Sequence, residues 1–162
     1  MNKKVNKNKV PKKEPYYVYV GYTDSCEGGE IVEGQSGPFS EREPTYHTYE
    51  IREIRTTDKI SNCCFPEQIE VDFDPKKHGD LDVYLVCVRY SSGDTFGQSY
   101  GHIHFEGVYK DKNQALAIQE SIENGKYTKS TYLPWKGYFE RLEDVEVHSF
   151  ALDQGCSSII RH

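Results

Sequence analysis

The chain has no apolar run near the roughly 18 residues that a membrane-spanning helix needs, so a transmembrane helix is not expected. It has a basic start but no apolar stretch after it, which argues against a secretory signal and places the expected site of action in the cytoplasm. Nothing matches a phosphate-binding Walker loop, which needs a Lys followed by Ser or Thr after a longer glycine spacing. There is no Gly-x-Ser-x-Gly nucleophile elbow. The five cysteines (26, 63, 64, 87 and 156) are odd in number, irregularly spaced and free of any C-x-x-C knuckle, so reduced thiols are expected and no disulfide framework.

Aliphatic residues are sparse as well. Their place is taken by 13 Tyr, 7 Phe and one Trp, which bring large buried areas and hydrogen-bonding tips. At 162 residues the chain is long enough for one domain with its own core.

Charge is unevenly placed. Lys3, Lys4, Lys7, Lys9, Lys12 and Lys13 crowd the start with no acid among them, leaving 14 of the 20 basic residues against 26 acidic ones in the body. A body that acidic repels duplex nucleic acid, whose binding depends on phosphate neutralisation. A small nucleotide is still admissible, because a local arginine can outweigh an unfavourable net charge. The expected organisation is a disordered basic tail over 1–14, one α+β domain over 15–153 and a frayed end over 154–162.

Strands are expected where β-branched and aromatic residues alternate with polar ones, at 16–22, 46–55, 67–73, 81–90, 101–109 and 144–152. The run 81–90 is nearly continuous in apolar residues and reads as a central strand buried on both faces. In 101–109, alternation sets His102, His104, Glu106 and Val108 against Ile103, Phe105, Gly107 and Tyr109. The acidic stretch 23–44, rich in Gly, Ser and Pro, reads as a long loop with a short strand near 30–33.

One helix is well marked. Asp111 is a natural N-cap with Gln114 three residues on, Ala115, Ile118 and Ile122 recur at helical spacing, and Gly125 marks the stop. Strands joined by loops, with one helix, predict an α+β fold. Its sheet would be mainly antiparallel, of about five to seven strands, with the helix on one face.

The loop 93–97 is the first candidate site. Gly93 and Gly97 allow close approach of a ligand to backbone, Asp94 and Thr95 offer an acceptor and a hydroxyl, and Phe96 offers a stacking face, with Ser99 and Tyr100 extending the rim. The same residues also suit a hairpin whose polar side chains bond to their own backbone. His102 and His104 share a strand face, so both imidazoles could meet one metal. A zinc site needs further ligands, and no spacing singles one out from His47, His78, His148, Cys63 or Cys64. The aromatic stretch 135–140 can stack on a base through Trp135 and Tyr138, or seal a core. Anion binding falls to Arg42, Arg52, Arg55, Arg89 or Arg141, with Arg52 and Arg89 favoured for their place on strands and pairing with nearby carboxylates as the alternative.

The segments 89–97, 107–111 with the helix that follows, and 134–143 together resemble small proteins encoded by bacteriophages and their hosts, over roughly the C-terminal 70 residues. The resemblance implies action on host machinery, including capture of the nucleotide messengers of bacterial immunity.

Three functions are therefore expected in order. The first is a non-enzymatic protein that sequesters a small nucleotide with Arg89, Asp94, Thr95, Phe96, Ser99, Trp135 and Tyr138. It would act without a cofactor and as a homo-oligomer. The second is an acidic module that docks on a host protein. The third is a small metal-dependent hydrolase built on His102 and His104.

Overall fold

The computed structural model describes residues 10–28, 44–62, 64–94, 97–155 and 157–160. It is an α+β fold with a seven-stranded, mostly antiparallel sheet and one main helix. The strands are β1 (Tyr16–Glu27), β2 (Thr45–Arg55), β3 (Phe65–Val71), β4 (Asp82–Asp94), β5 (Gly97–Tyr109), β6 (Glu140–Ala151) and β7 (Ser157–Ile160). Their order in the sheet is β3-β1-β2-β5-β4-β6-β7. The helix α1 (Lys112–Glu123) follows β5.

All neighbours are antiparallel except β2 and β5, which run parallel and share only the pairs Thr45↔Ser99 and Tyr46↔Tyr100. That short seam lets the sheet fold on itself. The half β3-β1-β2 covers one face of β5-β4-β6, and the main core lies between them: Val18, Val20, Ile51, Ile54, Val83, Leu85, Phe105 and Phe150 are all buried there. The far end of the fold is held by Asp153. Its carboxylate accepts from the Thr56 N–H (2.9 Å) and hydroxyl (2.8 Å), its own N–H donates to the Ile54 carbonyl, and its carbonyl accepts from Arg55 (2.7 Å).

The opposite face of β4 and β6 carries a second core, in which Val86, Val88, Val145 and Val147 meet Ala115 and Ile122 of α1 together with Trp135. Strand β4 is thus buried on both faces, as its continuous apolar run predicts. The Asp111 carboxylate caps α1 by accepting from the Asn113 N–H at 2.8 Å. Gln119 faces the sheet and donates its amide to the Val145 carbonyl at 2.8 Å. This tie lies outside the apolar pattern that marks the helix. Gly125 follows the helix with φ of 67°.

Alternation fails at four register shifts, one of them near the hairpin tip, where Tyr90 faces His102 and Ser92 faces Ser99. Opposite Gly21 and Tyr22, β2 places Glu53 and Ile51, so Arg52 is an extra residue and Ile54 joins Ile51 in the core. Opposite Val86 and Cys87, β5 places Gly107 and Phe105, so Glu106 is extra and Val108 moves to the face of Ile103 and Phe105. Opposite Arg89 and Tyr90, β6 places Asp144 and Leu142 and leaves Glu143 extra. Each bulge reverses the faces beyond it.

Two expectations about the chain's irregular parts need correction. Residues 23–27, expected in a loop, continue β1 because they keep pairing with β2 out to Glu27↔Tyr46. Residues 157–160, expected to fray, form β7 on the free edge of β6, with Ile160 packed on the second core. The short strand expected near 30–33 and most of the tail over 1–14 lie outside the described residues.

Candidate functional site

The glycine-rich loop is the tip of the β4–β5 hairpin. Gly93 pairs with Gln98 and Asp94 with Gly97. Gly93 has φ of 118°, and a Cβ on it would lie 2.0 Å from the Gly97 carbonyl oxygen, so only glycine fits this crossing of the two strands. The twist leaves the Gly93 N–H pointing away from its own hairpin. It donates to the Phe139 carbonyl at 3.2 Å.

That bond joins two stretches distinct in sequence, 91–94 and 138–141. Pairing of β4 with β6 sets Ser91 opposite Arg141 and Ser92 opposite Glu140. Between them lies a recess of about 20 Å³, lined by Ser92, Gly93, Gln98, Tyr100, Phe139 and Arg141. It is large enough for one water or one oxygen-sized group.

Around its mouth stand aromatic rings. Tyr138 is 94 % exposed and meets Phe139, 51 % exposed, edge to face at 4.8 Å. Tyr100 stacks on Tyr46 across the seam at 5.3 Å and donates its hydroxyl to the Gln98 side-chain oxygen.

The arginines divide sharply. Arg52 pairs with Glu50 at 2.6 Å, Arg55 with Glu53 at 2.6 Å and Arg89 with Glu146 at 3.3 Å. Arg141 alone, among the described arginines, has no salt bridge or hydrogen bond. In an acidic body that is the opposite of what chance pairing gives.

Behind the recess is a polar aromatic cluster. His102 Nε2 lies 2.9 Å from the Ser92 hydroxyl. Its ring sits 4.8 Å from His47 and 5.3 Å from Tyr90. Burial lowers the His102 pKa and His47 adds to that, against the opposing pull of Glu143 and Asp24, so the ring is neutral at physiological pH. His47 Nδ1 stands 3.6 Å from the Asp24 carboxylate, too far for a hydrogen bond, and is buried with no hydrogen-bond partner.

The expected site residues are scattered by the fold. Asp94 and Ser99 lie on the hairpin, and Tyr138 is exposed and packs against Phe139. Thr95 and Phe96 lie outside the described residues. Arg89 points to the other face of β4, between the two halves of the sheet, where it bonds Glu146 and the Tyr49 carbonyl. Trp135, only 5 % exposed, packs in the second core against His104, with ring centres 5.5 Å apart. Neither reaches the recess. Arg141 and Phe139 stand where Arg89 and Trp135 were expected.

His102 and His104 share a face of β5 but serve different partners. His104 bonds the buried bulge residue Glu106 at 3.1 Å, and Glu106 also receives the Tyr127 hydroxyl and Lys129 at 3.0 Å. Among the described residues no group of three or more His, Cys, Asp or Glu stands close enough to hold a metal.

A larger cleft of about 500 Å³ lies on the outer face of β1 and β2, lined by Thr23, Arg52, Glu53, Arg55 and Ser61. Its charges are spent internally. Burial by itself would raise the Glu53 carboxyl, but the Ser61 N–H and Arg55 bond it and hold it below the ordinary value. The cleft therefore offers shape with little free bonding capacity.

Comparison with protein-family models, with curated proteins and with solved structures gives no match for this chain. No helix among the described residues is long and apolar enough to cross a membrane.

Proposed function

We propose that this chain is a small-ligand-binding protein that captures an anionic, nucleotide-sized molecule over the recess between the β4–β5 hairpin and the start of β6. One observation carries the reading: Arg141, the only described arginine without a partner, stands at a recess lined by hydroxyls and by the exposed ring of Phe139, against which Tyr138 packs. A guanidinium supplies a forked grip for phosphate or carboxylate. Phe139 and Tyr138 supply faces on which a base stacks. The recess takes one oxygen of the ligand, and the rest lies across the surface, where a second copy of the chain closes over it. Sequestration of a nucleotide messenger is the form of this function that the resemblance to phage proteins suggests.

The test is a thermal-shift panel of cyclic nucleotides on the full chain, beside mass spectrometry of small molecules released on denaturation. Binding at 100 times Kd stabilises a protein by about 2.7 kcal/mol, which moves the melting temperature readily. An unmoved melting temperature across the panel, with nothing released, removes the proposal.

A second reading is an acidic module that docks on a basic host protein. The exposed Tyr132, Tyr138 and Phe139 favour it, since aromatic anchors are typical of interface centres. Capture of a basic protein at low salt and its loss at high salt supports this reading over the first.

A further inference from the structure

Ser92 and His102 form the only Ser–His side-chain hydrogen bond among the described residues. They come from neighbouring strands, Ser92 from β4 and His102 from β5, so the sheet itself holds the distance at 2.9 Å. The serine hydroxyl also lines the oxygen-sized recess that Arg141 borders. A hydroxyl on a neutral imidazole, beside a cavity with an unpaired cation, is the minimum set for nucleophilic acyl transfer: nucleophile, base and charge for a developing oxyanion.

We propose that Ser92 is a nucleophile activated by His102, and that it accepts the acyl group of a small carboxylic ester whose carbonyl oxygen enters the recess beside Arg141. The Ser92 oxygen forms a bond to the carbonyl carbon while its proton passes to Nε2 of His102. The carbon–oxygen bond to the alcohol breaks, and His102 returns the proton to the departing alkoxide. Water then attacks the acyl-serine, His102 takes its proton, and the carboxylic acid leaves as Ser92 regains its hydrogen. Atoms balance with water as the only co-reactant.

The surroundings suit the imidazole to this task. His102 is faced by Tyr90 and Ser92 from β4, by His47 from β2, by Asp24 from β1 and by Glu143 from β6. Burial and His47 keep it unprotonated at neutral pH, ready to receive a proton. Tyr90 and His47 pack against the ring and restrict its turning.

The site is the one assigned to the anionic ligand, but the inference does not need that ligand. The experiment uses a small uncharged fluorophosphonate on the full chain, followed by intact mass and peptide mapping. The expected result is one adduct per chain, on Ser92. It is absent in Ser92→Ala and at least about 100-fold slower in His102→Gln, in line with the usual worth of a general base. In the wild-type protein, which needs no variant to fold, the labelling rate rises with pH and levels off once His102 has lost its proton.

No adduct on Ser92, labelling scattered over surface tyrosines, or an unchanged rate in a folded His102→Gln protein overturns the proposal. In those cases the bond only ties β4 to β5. The two readings of the site fail separately in the wild-type protein. Labelling of Ser92 by the uncharged probe, with no nucleotide in the panel raising the melting temperature, removes the binding function and leaves the nucleophile; stabilisation by a nucleotide with no adduct on Ser92 does the reverse.

Discussion

Gly101 passes so close to His47 that a Cβ on it would stand 2.2 Å from the His47 carbonyl oxygen. Its φ is 75°, and its N–H turns away to donate to the Glu143 carboxylate at 3.1 Å. The contact sits just beyond the two residue pairs that join β2 to β5, so it sets how the two halves of the sheet meet.

Gly101→Ala is therefore expected to lower stability by about 3 kcal/mol, through backbone strain plus a backbone clash that no rotamer relieves. Gly125→Ala is the control. Gly125 also has positive φ, but nothing lies within 4 Å of its Cβ position, so about 1 kcal/mol is expected. Urea unfolding of both variants checks the difference. Equal losses would mean that the seam is not closely packed.

Trp135→Ala should cost about 3–5 kcal/mol, the usual range for removing a large aromatic from a core. Trp135→Phe, which keeps most of the packing, should leave nucleotide affinity unchanged, because the ring faces the second core and His104. Titration calorimetry on the Phe variant measures this. A tenfold loss of affinity would return Trp135 to the site.

Arg141→Ala should abolish nucleotide-induced stabilisation while leaving the melting temperature of the free protein within about 1 °C, since an exposed, unpaired side chain contributes little to stability. Arg89→Ala should do the reverse. It leaves Glu146 without its cation and costs about 2 kcal/mol, below the figure for a fully buried pair because Arg89 is 22 % exposed. Melting curves of the two variants with and without nucleotide separate the roles.

Acid should unfold the protein through its paired carboxylates. The His148 hydrogen bond, with Arg89, holds Glu146 below the ordinary value. Burial alone would raise Glu106, but bonds from His104, Tyr127 and Lys129 lower it. Glu53 behaves likewise with Ser61 and Arg55. Groups lowered in the folded state contribute stability that is present above the unfolded value near 4.5 and lost as pH falls through their folded values. Glu67, raised by burial, has the opposite sign and loses stability as pH rises through 4.5 and above. Urea midpoints from pH 7 to pH 3 should fall steeply, and Glu146→Gln should flatten the fall. An unchanged slope in that variant would show that Glu146 is not held by its partners.

The sequence by itself determined most of the local elements. The apolar run through Val83, Leu85, Val86 and Val88 read as a strand covered on both sides, which β4 is, and Asp111, Ala115, Ile122 and Gly125 marked one helix. The glycines at 93 and 97 marked a turn between two strands, and of the two only Gly93 has the positive φ and close contact that require glycine. What surrounds it was decided only by tertiary structure. Arg89 and Arg141 look alike along the chain, yet one meets Glu146, 57 residues away, and the other meets no one. Trp135 and Phe139 are four residues apart, and one is core while the other is surface. Alternation is a local signal of period two, and a single extra residue at Arg52, Glu106 or Glu143 reverses it without any change in composition. Which carboxylate finds which arginine depends on strand register and on the folding of the sheet over its two-pair seam, and these are fixed only when the distant strands meet.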